Sequence, residues 1–157
     1  YRLSVFAGYR RSKAEVLARV EQRKQSKPQH KKQDDSYISL TELARNHSKN
    51  TPGYVIQSWL RSENTLAFLN LWEQENNPDY REAGYIELLE KKKTASFTLT
   101  PKLWIEKTEA IGIASKQGKG GGTFAHPMIG CEFASWISPE FKMLLLKLSL
   151  NRERLKE

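Results

Sequence analysis

The sequence predicts an α+β domain on three observations. Apolar residues recur at helical spacing between Pro and Gly breaks. A short strand-like run, Tyr37-Ile38-Ser39-Leu40, opens the folded part, and a glycine-rich turn at residues 117–122 lies between two further strand-like segments. Four Trp, six Tyr and six Phe in 157 residues supply enough large side chains for one core without a disulfide or a metal.

Residues 1–36 read as a basic N-terminal segment: a helix over Arg11–Lys24 with Ser12 as its cap and a narrow stripe of Val16, Leu17 and Val20, then a polar linker over 25–35. Residues 37–150 form the folded domain. Its strand runs straight into a helix, with Ser39 and Glu42 spaced as a capping box and Leu40, Leu43, Ala44 and His47 at helical spacing. Thr51-Pro52-Gly53 breaks the chain before a second short helix carrying Val55, Ile56, Trp59 and Leu60. A third helix is expected from Glu63 to Glu75, with Leu66, Leu69 and Trp72 on one side, and Asn76-Asn77-Pro78 ends it.

Asp79 to Lys93 reads as a loop with partial order, and Phe97 and Leu99 as a short strand. Thr100-Pro101 caps a helix extending through Trp104 to about Ala110. Ile111–Ile113 starts a strand and Thr123–Ala125 returns it, which makes a β-hairpin with a basic tip. Pro127 and Pro139 each open a helix; Ile129, Phe133, Trp136 and Ile137 make one apolar face, and Phe141, Leu144, Leu145 and Leu148 the next. Residues 151–157 read as a charged C-terminal exit.

The formal net charge of +8 is unevenly spread. Residues 1–36 hold ten Lys/Arg against four Asp/Glu, whereas residues 37–157 hold sixteen against fourteen. Bulk charge therefore says little about the folded part, because a basic tail attracts any polyanion. The single cysteine, Cys131, sits among Ile129, Phe133 and Ala134 and reads as a buried thiol in a reducing compartment. No apolar run reaches the length of a membrane span and no signal-peptide pattern opens the chain, so a cytoplasmic location is expected, with no membrane partner.

Enzymatic readings fail on spacing. A phosphate-binding loop ending at Lys119 would need Gly at 113 and Ser or Thr at 120, where the chain has Ile113 and Gly120. His30, His47, His126 and Cys131 lack paired zinc-ligand spacing, and His126 reads as a packed residue at a helix start. Glu106/Glu109 and Glu73/Glu75 have ordinary helix-surface explanations, and no nucleophile–base pattern is present. No cofactor and no catalysis are expected.

Several blocks together resemble the KilA-N domain of phages, bacteria and large DNA viruses. They are Tyr37-Ile-Ser-Leu-Thr-Glu-Leu-Ala44, Ile56-Gln-Ser-Trp-Leu-Arg61 with Asn64-Thr65, Phe68-Leu-Asn-Leu-Trp-Glu73 and Asn77-Pro78. Gly121-Gly-Thr-Phe-Ala-His-Pro127 and Glu132-Phe-Ala-Ser-Trp-Ile-Ser-Pro-Glu-Phe141 complete the set. The resemblance implies a winged helix-turn-helix-like fold, similar to the fungal APSES domain, with the glycine-rich hairpin as its wing. The family often carries an aromatic residue before Gly-Gly-Thr, and here Gly118-Lys-Gly-Gly-Gly122 replaces it.

The resemblance further implies duplex DNA as partner, contacted through the wing and an adjacent helix. Lys116 and Lys119 would supply charge, the N–H groups of Gly118, Gly120, Gly121 and Gly122 close backbone approach, and Gln117 a donor and an acceptor for a base edge. A plain hairpin turn would also need such glycines and exposed lysines. The helix from Pro101 is the expected recognition helix by position, with Lys102, Lys107 and Thr108 toward phosphates and Trp104 in the core, although Glu106 and Glu109 would repel them. Lys49 and Arg61 flank the second helix, either gripping the backbone or standing as solvated charges. A homo-oligomer or a further domain would add the contacts that a short wing lacks. The alternatives are an antirepressor-like protein-interaction module on the same fold, or the targeting domain of a larger nuclease.

Overall fold

The computed structural model describes residues 36–154. The expected helix at 11–24, the linker after it and the last three residues lie outside that range. Ser39 closes a two-residue strand, β1 (Ile38–Ser39), and caps α1 (Leu40–His47) by accepting the Glu42 N–H at 3.1 Å. Residues 48–51 turn the chain into α2 (Pro52–Leu60), where Pro52 costs no hydrogen bond because a first-turn N–H has no partner within the helix. Helix α3 (Glu63–Asn76) starts on the Ser62 hydroxyl, which accepts from Thr65 N–H.

Two local expectations fail in the next stretch. The predicted loop at 79–93 holds a helix, α4 (Glu82–Lys91). Gly84 and the lysine triplet disguise it, yet Tyr85, Leu88 and Leu89 keep helical spacing and Leu88 is fully buried. Gly84 lies so close to the following helix that a Cβ would stand 1.9 Å from the Lys107 carbonyl oxygen, so glycine here serves close approach rather than a turn. Phe97 and Leu99 form no strand; Leu99 is buried and Phe97 half-buried on an irregular connection, so their alternation reports core plugs, not a ladder.

Thr100 caps α5 (Pro101–Thr108), which stops two residues short of the expected Ala110 because Glu109 turns left-handed at φ 53°. The hairpin follows as β2 (Ile113–Lys116) and β3 (Gly122–Ala125), antiparallel, with Lys116 opposite Gly122. Strand β1 pairs with the other side of β3, Ile38 opposite Ala125, so the three-stranded sheet has the order β1-β3-β2. His126 then caps α6 (Pro127–Ile137) by accepting the Met128 N–H on Nδ1, and α7 (Pro139–Arg154) ends the described chain.

The architecture is mixed α/β and mainly helical. Trp59, Leu60, Leu66, Leu69, Trp104, Ile129 and Phe133 sit at its centre, with Trp59 meeting Phe133 edge-on at 5.0 Å. Each such side chain contributes roughly 1.5–3 kcal/mol by leaving water. The indole N–H of Trp59 is not stranded by this burial, since it donates to Glu132 at 2.6 Å and ties α2 to α6.

The C-terminal apolar face is corrected. Leu144 and Leu148 are 53% exposed, while Phe141 and Leu145 are half-buried, because α7 runs out past the core that would have received it. Trp136 also stands largely in solvent, stacked along Phe133, and Cys131 is half-buried rather than enclosed. Among the described residues no helix is long and apolar enough to cross a membrane.

Candidate nucleic-acid interface

The hairpin alternates by strand geometry. Ile113 on β2 and Thr123 and Ala125 on β3 point into the domain, while Lys116, Gln117, Gly118, Lys119 and Gly120 are all exposed. Gly118 and Gly120 take φ of 86° and 72°, a region that side-chain-bearing residues enter at a cost, and a Cβ on either would meet only open space. Gly121 differs: it is half-buried and its N–H donates to the Gly118 carbonyl at 3.0 Å. Its amide therefore belongs to the turn, which narrows the expectation that every glycine of the tip offers a free N–H. Lys116 Nζ lies 5.9 Å from the Phe124 ring centre, so its stem is supported by an apolar neighbour while its charge stays in water. Neither Lys116 nor Lys119 forms an ion pair among the described residues.

What fixes the hairpin is a buried carboxylate. Glu73 of α3 is 1% exposed; it accepts the Gly112 N–H at 2.7 Å, the Ile111 N–H at 3.1 Å and the Asn77 amide at 2.8 Å. Asn77 also donates to the Glu109 carbonyl at 2.9 Å, so the corner from α5 into β2 is held on α3 at several points. Burial pushes the Glu73 carboxyl above its ordinary range, against the opposing pull of those donors. Burial followed by the nearby Glu73 charge likewise raises Tyr80, whose hydroxyl donates to Asn70 at 2.6 Å. On the far side, Tyr37 donates to the Ile111 carbonyl at 2.7 Å and His126 N–H to the Gly112 carbonyl at 2.9 Å. At the tip-proximal end of β3, Thr123 N–H donates to the Thr41 hydroxyl of α1 at 2.9 Å.

The sequence reading treats Glu73 as a surface carboxylate, and the structure overturns that. The available signal was register: Glu73 follows Leu66 and Leu69 by seven and four residues, on the apolar stripe of α3.

The remaining candidate residues lie on other elements and do not converge with the tip. On α5, Lys107 bonds Glu87 of α4 at 3.0 Å and Lys102 stands 4.0 Å from Glu106, so both cations already face carboxylates. Lys107, and after it Lys91 at 3.0 Å, hold the Glu87 carboxyl below its usual range. Thr108, expected beside phosphates, is fully buried and donates to the Trp104 carbonyl at 2.6 Å, the usual fate of a hydroxyl on the inner face of a helix. The Lys91–Lys93 run is similarly engaged: Lys91 pairs with Glu87, Lys93 with Glu90, and Lys92 donates to the Arg61 carbonyl.

Lys49 and Arg61 are exposed at opposite ends of α2, whose nine residues span roughly 13 Å, so they cannot grip one phosphate together. Between them the outer side of α2 carries Tyr54, Gln57, Ser58 and Arg61 at helical spacing, with Arg61 5.9 Å from the Tyr54 ring centre. This polar stripe, free of carboxylates, is the complement of the apolar face of Val55, Ile56, Trp59 and Leu60.

Comparison with known proteins places this geometry. Residues 21–153 match the KilA-N domain. Among curated proteins, Protein kilA of Escherichia phage P1 is 46% identical over 50 residues, a stretch covering 29% of this chain and 19% of that protein. No solved structure matches. With a family match spanning the hairpin, its anchoring helix and the elements on either side, the chain belongs to the KilA-N domain family.

Proposed function

We propose that this domain binds duplex DNA, laying the hairpin as a wing along the phosphate backbone or the minor groove beside a helix that meets the neighbouring groove. KilA-N domains are generally DNA-binding. The observation that carries the reading is an exposed tip whose two lysines pair with no carboxylate among the described residues, on a hairpin braced by Glu73 and Thr41. Lys116 and Lys119 neutralise phosphates, the Gly118 and Gly120 backbone approaches them closely, and Gln117 reaches a base edge. Helix α2, second in a helix-turn-helix with α1, offers Gln57 and Ser58 for base contacts, and Lys49 and Arg61 position its two ends on the backbone. Lys102 and Lys107 of α5 add weaker contacts, since each must first part from a carboxylate.

The test is fluorescence anisotropy of mixed-sequence duplexes at two salt concentrations, comparing wild type with Lys116→Ala/Lys119→Ala. Loss of two phosphate contacts lowers the slope of log K against log salt by about 1.8. An unchanged slope removes the wing from the interface, and no binding by wild type defeats the DNA reading.

A further inference from the structure

Helix α7 presents two kinds of surface. The stripe of Phe141 and Leu145 is half-buried toward the domain, and Ser138, whose hydroxyl accepts the Phe141 N–H at 3.1 Å, fixes where it leaves α6. The outer stripe follows Glu140, Met143, Leu144, Lys147, Leu150 and Arg154 at three- and four-residue spacing. Met143 is 57%, Leu144 53% and Leu150 65% exposed, more apolar surface on one helix face than a solvated helix carries. The first half of this stripe is an open groove lined by Pro139, Glu140, Met143, Leu144 and Lys147.

We propose that α7 pairs antiparallel with α7 of a second copy of this chain, each groove receiving Leu150 of the other. The charge order selects this occupant and this direction. The acid, Glu140, lies in the first turn of the helix, and Arg154 lies in the last. A two-fold axis at Lys147 sets Glu140 against Arg154 of the other copy at both ends and Leu144 against Leu150 in between. A parallel pair would instead align acid with acid and arginine with arginine. The basic residues 1–36 are a poorer occupant, because their net positive charge meets Lys147 and Arg154 on this stripe. The axis brings Lys147 beside its own copy, so this contact weakens the pair.

The size of the contact sets its strength. A 16-residue helix is roughly 24 Å long. Such a strip falls at the small end of protein interfaces, which makes the dimer a weak one, with a dissociation constant on the order of a micromolar to a millimolar value.

Sedimentation equilibrium of the full chain, without DNA, over concentrations spanning that range tests the pairing independently of any function of the hairpin. Wild type shifts from monomer to dimer. Leu144→Glu/Leu150→Glu stays monomeric throughout with unchanged circular dichroism and thermal midpoint, since both side chains are exposed. Glu140→Lys or Arg154→Glu alone weakens the dimer about fivefold, and the two together restore it, because the exchanged charges face each other again. Lys147→Leu tightens it. A wild type that remains monomeric at the highest concentration overturns the proposal, and so does a double charge exchange that weakens association further.

Discussion

The hairpin and α5 carry two lysines each among the candidate contacts, and the structure treats the two pairs oppositely. Lys116 and Lys119 project from a glycine turn with no carboxylate partner among the described residues, whereas Lys107 bonds Glu87 and Lys102 faces Glu106. A count of basic residues therefore ranks the two elements as equals, and their partners rank them apart. The same lesson applies to Glu73, whose carboxylate joins the two regions by holding the corner that leads from α5 into the hairpin.

The strongest way to break the comparison is to remove that anchor. Glu73→Ala leaves the Ile111 and Gly112 N–H groups without their acceptor, takes from the Asn77 amide one of its two acceptors, and is expected to cost about 3 kcal/mol or more of unfolding free energy in urea titrations. Amide exchange at β2 rises first, while α5 keeps its own surface pairs. An intact hairpin with ordinary exchange would mean that Thr41 and His126 suffice to hold it.

A smaller effect comes from titrating Glu73. Its folded-state pKa is raised, so between the ordinary carboxylate value of 4.5 and the raised value the folded chain binds more proton than the unfolded chain. Stability attributable to this group therefore falls as pH rises through that window, by at most about 1.4 kcal/mol per pH unit, and is constant above it. The difference between wild type and Glu73→Gln in urea midpoints isolates the effect, and a difference that rises with pH would contradict the assignment.

The smallest effect sharpens the contrast on the α5 side. Glu87→Gln releases Lys107 and Lys91 and removes a nearby negative charge, so DNA affinity rises about two- to threefold if α5 lies beside the duplex, as one screened charge permits. Unchanged anisotropy titrations would place α5 away from the nucleic acid. Stability should barely respond, because each of the side chains involved is at least about a third exposed and such surface pairs contribute little.

Much of the fold could be read from the chain because local rules and packing agree there. Ser39, Ser62, Thr100 and His126 all cap helices, and Pro52, Pro101, Pro127 and Pro139 open them, as short-range chemistry requires. The hairpin too followed from local signals. What escaped depended on distant neighbours. Gly84 marks close helix contact rather than a break, Phe97 and Leu99 plug the core without pairing, and α7 extends past the core that the described residues build. The positions of the candidate lysines were legible, but the ion-pair status that separates the tip from α5 was not, because Glu87 reaches Lys107 across twenty residues of sequence. The bracing role of Glu73 was hidden for the same reason, since its acceptors' partners arrive from nearly forty positions away.

The strand order β1-β3-β2 has a consequence for how the chain is made. Strand β3 lies between a neighbour from the opening of the described chain and one from just before it, so Ile38 must wait for Ala125 to emerge from the ribosome before the sheet can close. Such late, long-range pairing slows assembly. A truncation that deletes residues through Ser39 would strip β3 of its β1 partner even though the hairpin itself is left untouched, and domain boundaries chosen for expression should keep that opening strand.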